Sequence, residues 1–179
     1  MTSPLRLDFN VSCPPARAFA LWTDRIDTWW PTDHTVSASR EVTVTLEPGV
    51  GGRIFERTPD GVEHEWGEVT VWEPPNRLDY LWHLRRDRSD ATEVSVRFTP
   101  SGGQGTRVEI EHTGWEHLGA DGETWRNRNE LGWQTLLPHY MAAVVADSAD
   151  DRPMGTQDPT HHEQQTHHEQ QTHDKEDQP

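Results

Sequence analysis

His112 closes the alternating run Val108, Ile110, His112, which carries an imidazole onto the apolar face of a strand. A general base needs a hydrogen-bonded partner and a substrate within reach. Glu111 points to the opposite face, and no serine or cysteine is placed to pair with His112, so it reads first as a core histidine. His64 shares a face with Trp66, opposite Glu63 and Glu65, and takes the same reading. Inward polar groups still need partners, and a ligand could supply one to His112, Asn129 or Tyr80. Cys13 sits at a helix start, where the helix dipole would lower a thiol pKa. It has no histidine partner and reads as a bystander. The tract "THHEQQTHHEQQTH" presents His161, His162, His167, His168 and His173 without the fixed geometry of a metal centre. The set His112, Glu116, His117 matches no ligand spacing either. Neither a metal nor a cofactor is expected.

The tryptophans are the other chemical signal. Nine occur, all before residue 134, and Trp29 and Trp30 are adjacent just before Pro31. Neighbours on a helix point about 100° apart, so one ring can enter the core while the other faces elsewhere. Aromatic walls with few polar groups suit a flat or apolar ligand.

These side chains must be positioned by elements that the pattern also marks. "LRLDFNV" alternates as a strand, and "SCPPARAFALWTD" turns helical with Ser12 as the expected N-cap. "RIDTWW" reads as a second short helix, ended by Pro31. From residue 40 the period is two, broken at "EPGVGG", "TPDG", "EPPN" and "SGGQG", which predicts six antiparallel strands. A long helix follows, with Trp125, Asn129, Trp133, Leu136, Leu137, Tyr140 and Val144 on one face and a bend expected at Pro138. The fold class is therefore α+β: a curved antiparallel sheet of about seven strands wrapped on a long C-terminal helix, with two short helices after the first strand. One helix is narrow against so wide a sheet, and the gap beside it is a natural cavity.

Composition sets further limits. The net charge of −15 argues against nucleic acid and anionic membrane, which are bound through clustered Lys and Arg. No apolar run approaches the roughly 20 residues that span a bilayer, and the first residues lack a signal-peptide pattern. With a single cysteine, a cytoplasmic location is expected. Residues 147–179 hold nine acidic and two basic residues and a six-residue polar repeat. They read as a disordered tail behind a domain at 1–146.

The stretches "AFALWTDRIDTWWP", "GGRIFE", "WGEVTVWEPPNRLDYLW", "GQGTRVEIEHTGW" and "GWQTLLPHY", in this order, resemble the AHSA-type family of heat-shock-protein ATPase activator homologues, within the START-like (SRPBCC, polyketide-cyclase) superfamily. The resemblance spans about residues 5–145 and implies a helix-grip fold with a hydrophobic pocket between sheet and C-terminal helix. The expected pocket residues are Trp29, Trp30, His64, Trp66, Tyr80, Trp82, His112, Trp125, Asn129 and Trp133. Trp66, Trp82 and Trp133 are also large enough to fill that space. The expected function is binding of a small hydrophobic or aromatic molecule, with a cyclase, aromatase or dehydratase activity as the alternative. A chaperone-modulating role ranks third, because the chain lacks the additional N-terminal domain of eukaryotic co-chaperone members. Protein partners stay open, and the acidic tail is a segment that could mediate them.

Overall fold

The computed structural model describes residues 2–84 and 88–150. Strand β1 (Leu5–Val11) buries Leu5 and Val11 and exposes Arg6, Asp8 and Asn10, as its alternation requires. Helix α1 (Pro15–Trp22) begins at Pro14 rather than Ser12. A proline has no N–H to leave unsatisfied, and the Pro14 carbonyl accepts from the amides of Arg17 and Ala18, so no side-chain cap is used. The second short helix contracts to one 3-10 turn, Ile26–Thr28.

Strands β2 (Thr43–Leu46), β3 (Arg53–Arg57), β4 (Glu63–Glu73), β5 (Arg77–Trp82), β6 (Thr92–Pro100) and β7 (Thr106–Thr113) complete a single antiparallel sheet in the order β1-β7-β6-β5-β4-β3-β2. The sheet curls into a half-barrel around the C-terminal helix α2 (Gly122–Asp150). Register follows the apolar sets: Leu5 opposes His112, Ile110 opposes both Leu7 and Val96, and Val108 opposes Phe98. These residues form the concave face with Leu78, Tyr80 and Val94, while the convex face is charged.

Helix α2 lays Trp133, Leu136, Tyr140 and Val144 into the sheet and continues through Pro138. Tyr140 donates its hydroxyl to the Ala18 carbonyl at 2.8 Å, which fastens α2 to α1. At its start a 3-10 segment (Trp115–Asp121) is kinked internally at Gly119, whose φ of 57° and ψ of −127° leave helical space. At its other end, Asp147 accepts from the guanidinium groups of Arg17 and Arg25. The helix thus passes residue 146, and residues 151–179 of the expected tail lie outside the described residues.

Candidate functional site

The tryptophans were expected to mark a pocket, and most of them occupy it themselves. Trp22 packs on Trp29, Trp133 and Tyr140, with ring centroids 5.4, 6.3 and 4.8 Å away. Trp29 is buried and donates to the Leu21 carbonyl at 2.8 Å. Trp30 is half-buried, donates to the His34 carbonyl at 2.8 Å, and lies 4.9 Å from Trp66 and 6.2 Å from Trp82. The adjacent pair therefore divides: Trp29 is core, and Trp30 is the outer layer over Trp66.

His112 is fully buried, and its hydrogen bonds determine its tautomer. The indole of Trp133 can only donate, and its Nε1 lies 3.3 Å from His112 Nδ1, which must be the lone-pair nitrogen. The proton therefore sits on Nε2, 2.8 Å from Thr92 Oγ1. Thr92 passes its own hydroxyl proton to the Trp82 carbonyl at 3.1 Å. Every member of this chain is satisfied from within the protein, so His112 has no nitrogen to offer a ligand. Burial lowers its pKa to about 3, which keeps the ring neutral.

Tyr80 is buried against Trp82, and desolvation raises its phenol well above the usual range. His64 is partly buried on β4 opposite Glu56 and does not line the cleft described below. Burial raises the Cys13 thiol pKa, outweighing the lowering effect of nearby Arg17. Among the described residues no cluster of three or more His, Cys, Asp or Glu is placed to hold a metal ion.

A cleft lies on the concave side, where the ends of β5 and β6 meet the start of α2. Trp82, Trp115 and Trp125 wall it with Leu84 and Leu118; His83, Asp90, Thr92 and Asn129 supply polar atoms. Its volume out to solvent is about 280 Å³. Of the expected pocket residues, Trp82, Trp125 and Asn129 line it. Trp29, Trp66, Tyr80, His112 and Trp133 are core residues behind it, and Trp30 reaches it only through Trp82. Asn129 donates its amide to the Trp125 carbonyl at 2.9 Å, and the Arg128 guanidinium lies 5.0 Å from the Trp125 ring centre.

Sequence reading missed His83, Asp90, Thr92, Trp115 and Leu118 as site residues. Thr92 was legible, since alternation places it in line with Val94, Val96 and Phe98. His83 is set by a β-bulge: the amides of His83 and Leu84 both donate to the Trp66 carbonyl, at 2.9 and 3.3 Å. Glycine at 67 permits this crowding, because a Cβ there would stand 2.2 Å from the Leu81 carbonyl oxygen. His83 is buried, with Nε2 3.3 Å from Glu65 Oε1 but making no hydrogen bond.

A larger recess, about 740 Å³ out to solvent, lies on the convex face. Its floor is Ser95, a short residue whose cross-strand neighbours are Asp79 and Glu111, with Arg77 and Arg97 beyond. Its lining is charged and unlike the apolar interior.

A half-barrel sheet gripping one long helix, with an aromatic cleft at the end of the grip, defines a helix-grip domain of the START-like class. The family model described as activator of Hsp90 ATPase homolog 1-like protein matches residues 12–146, and the chain belongs to that family. Among solved structures, an anthrahydroquino-γ-pyrone synthase, Txn09, in complex with a ligand, is 32% identical over 70% of this chain and 85% of its own, with a TM-score of 0.53. Protein MLL2253 from Mesorhizobium loti shares 19% identity over 82% of this chain and 98% of its own, with a TM-score of 0.60. An Hsp90 activator from Plasmodium falciparum, PFC0360w, shares 18% over 80% and 96%, with a TM-score of 0.56. The last two likenesses concern the fold alone. None of the curated proteins compared matches the chain.

Proposed function

We propose that the protein binds a small, flat hydrophobic or aromatic molecule, in the cytoplasm, in the cleft between the sheet and the start of α2. The carrying observation is the convergence of three indole rings, Trp82, Trp115 and Trp125, on one opening edged by a few polar groups. Indole walls suit a planar guest, and the polar rim of His83, Asp90 and Asn129 can orient it. Sites for drug-sized ligands run from about 300 to 1,000 Å³, so this cleft would have to widen to admit one. Trp82 and Trp125 are half-buried and border the opening, and their movement would enlarge it. Among the described residues no helix is long and apolar enough to cross a membrane, and an apolar guest would be carried within the domain.

Native mass spectrometry of protein purified without detergent tests this reading against the denatured mass. A reproducible excess of a few hundred daltons, lost when Trp82→Ala is compared, supports it. Bare protein that also takes up none of a panel of planar aromatics argues against it.

A cyclase-type reaction in the same cleft is the second reading, favoured by 32% identity to a synthase. His112 cannot be its base, since both nitrogens are engaged. His83 is the titratable ring beside the cleft. In an enzyme His83→Gln would lower turnover at least tenfold while the substrate still binds. In a carrier it would change affinity alone. A chaperone-modulating role rests on the family description and not on the cleft.

A further inference from the structure

Four indole nitrogens in this fold have acceptors within it. Trp29, Trp30 and Trp115 donate to the carbonyls of Leu21, His34 and His112, and Trp133 donates to His112 Nδ1. Trp66 breaks the pattern: it is fully buried on the concave side, and its Nε1–H meets no acceptor. A buried donor left unmade is costly and calls for an explanation. The rings packed on it are Trp30, at 4.9 Å, and Trp82, edge-on at 5.9 Å, and neither indole carries a lone pair to accept. Trp82 is also a wall of the cleft, so the half-buried ring packed edge-on against Trp66 borders the opening. The Trp66 carbonyl is already taken up by the bulge amides of His83 and Leu84, which fixes the residue directly behind the cleft's lining.

We infer that Trp66 Nε1 is the hydrogen-bond anchor for a carbonyl oxygen of the bound molecule, reached when the Trp82 ring swings aside. The inference rests on the aromatic-binding reading above and narrows its ligand to a planar aromatic ketone or quinone. A carbonyl accepts without donating. A phenol in the same place would bring a second proton among indole faces and leave a new donor unmatched.

The test uses 9-fluorenone and fluorene, two flat tricycles of nearly equal shape that differ by the carbonyl oxygen. Each is titrated into the full chain labelled with 15N, and the indole N–H signals are followed, with Trp66→Phe assigning the Trp66 signal. The expected result is about tenfold tighter binding of fluorenone, the scale of one hydrogen bond to a buried donor. The Trp66 proton should also move downfield with fluorenone alone, and the preference should vanish in Trp66→Phe. If that variant does not fold, the wild-type affinity ratio decides, with the signal assigned instead by selective loss of its neighbours' contacts in Trp82→Phe. Equal affinities, or a Trp66 signal that ignores both probes because a resident water holds it, overturn the anchor and leave aromatic binding standing. Binding of neither probe overturns both.

Discussion

At the scale of single residues, the buried histidine controls more than packing. His112 is neutral in the fold, with a pKa near 3, against about 6.5 in the unfolded chain. A base depressed on folding gives its full stabilisation above the unfolded value and loses it as pH falls toward the folded one. Below pH 6.5 the unfolded chain binds a proton that the folded one refuses, so stability should decline by about 1.4 kcal/mol per pH unit from this group. Urea midpoints between pH 4.5 and 6.5, above the range where most carboxylates titrate, will show this slope. His112→Gln should flatten it while lowering stability at pH 7.5 by about 1–3 kcal/mol, through the lost partners of Trp133 and Thr92. Parallel slopes in the two proteins would refute the assignment. That His112 faces inward was legible from alternation with Val108 and Ile110. Its satisfaction was not, because both partners come from other elements, β6 and α2, and the proton's position depends on a contact 21 residues away in the chain.

At the scale of elements, the segment after the paired tryptophans is held down at two points. Trp30 donates to the His34 carbonyl, and the buried carboxylate of Glu56 on β3 accepts the amides of Val36 and Ser37 at 2.8 and 2.5 Å. Replacing Glu56 with Gln turns one acceptor oxygen into a donor facing an amide. The expected cost is about 2–3 kcal/mol, since bonds to a charged acceptor are among the stronger ones. Chemical denaturation measures it, and a loss below about 0.5 kcal/mol would show that the carboxylate does not hold the segment. The strand series and the long helix were readable because their periodicity runs over many residues and turn chemistry punctuates it. The bulge at Trp66 was not, since it depends on two amides sharing one carbonyl, and Gly67 was its single local clue. Nor was the 3-10 segment that brings Trp115 and Leu118 to the cleft, because its shape depends on the backbone at Gly119. The site was thus legible where it uses regular strand and helix faces, as at Trp82, Trp125 and Asn129, and illegible where it uses irregular backbone.

At the scale of the whole molecule, α2 is clamped near its C-terminal end. Asp147 receives Arg17 and Arg25, and hydrogen bonding from Arg17 is the main cause of its lowered pKa. This contribution is present above the ordinary aspartate value and fades as pH falls below it. Asp147→Asn should cost about 1 kcal/mol at neutral pH, and the cost should shrink in high salt. An unchanged thermal midpoint would show the clamp to be idle. For the same reason, a chain shortened to test the acidic tail should end after residue 150, and its midpoint should stay within about 2 °C of the full chain's.

The packing of the tryptophans has one more consequence, an optical one. Trp133, Trp22, Trp29, Trp30, Trp66 and Trp82 form an unbroken row, each ring within 6.3 Å of the next. At such spacing an absorbed photon does not stay on the ring that captured it but migrates to the lowest-energy member. Emission from the buried helix and emission from the rim of the cleft therefore share one fate. A guest that quenches the ring on which the excitation collects should darken the whole row, far more than one ring's share of the light.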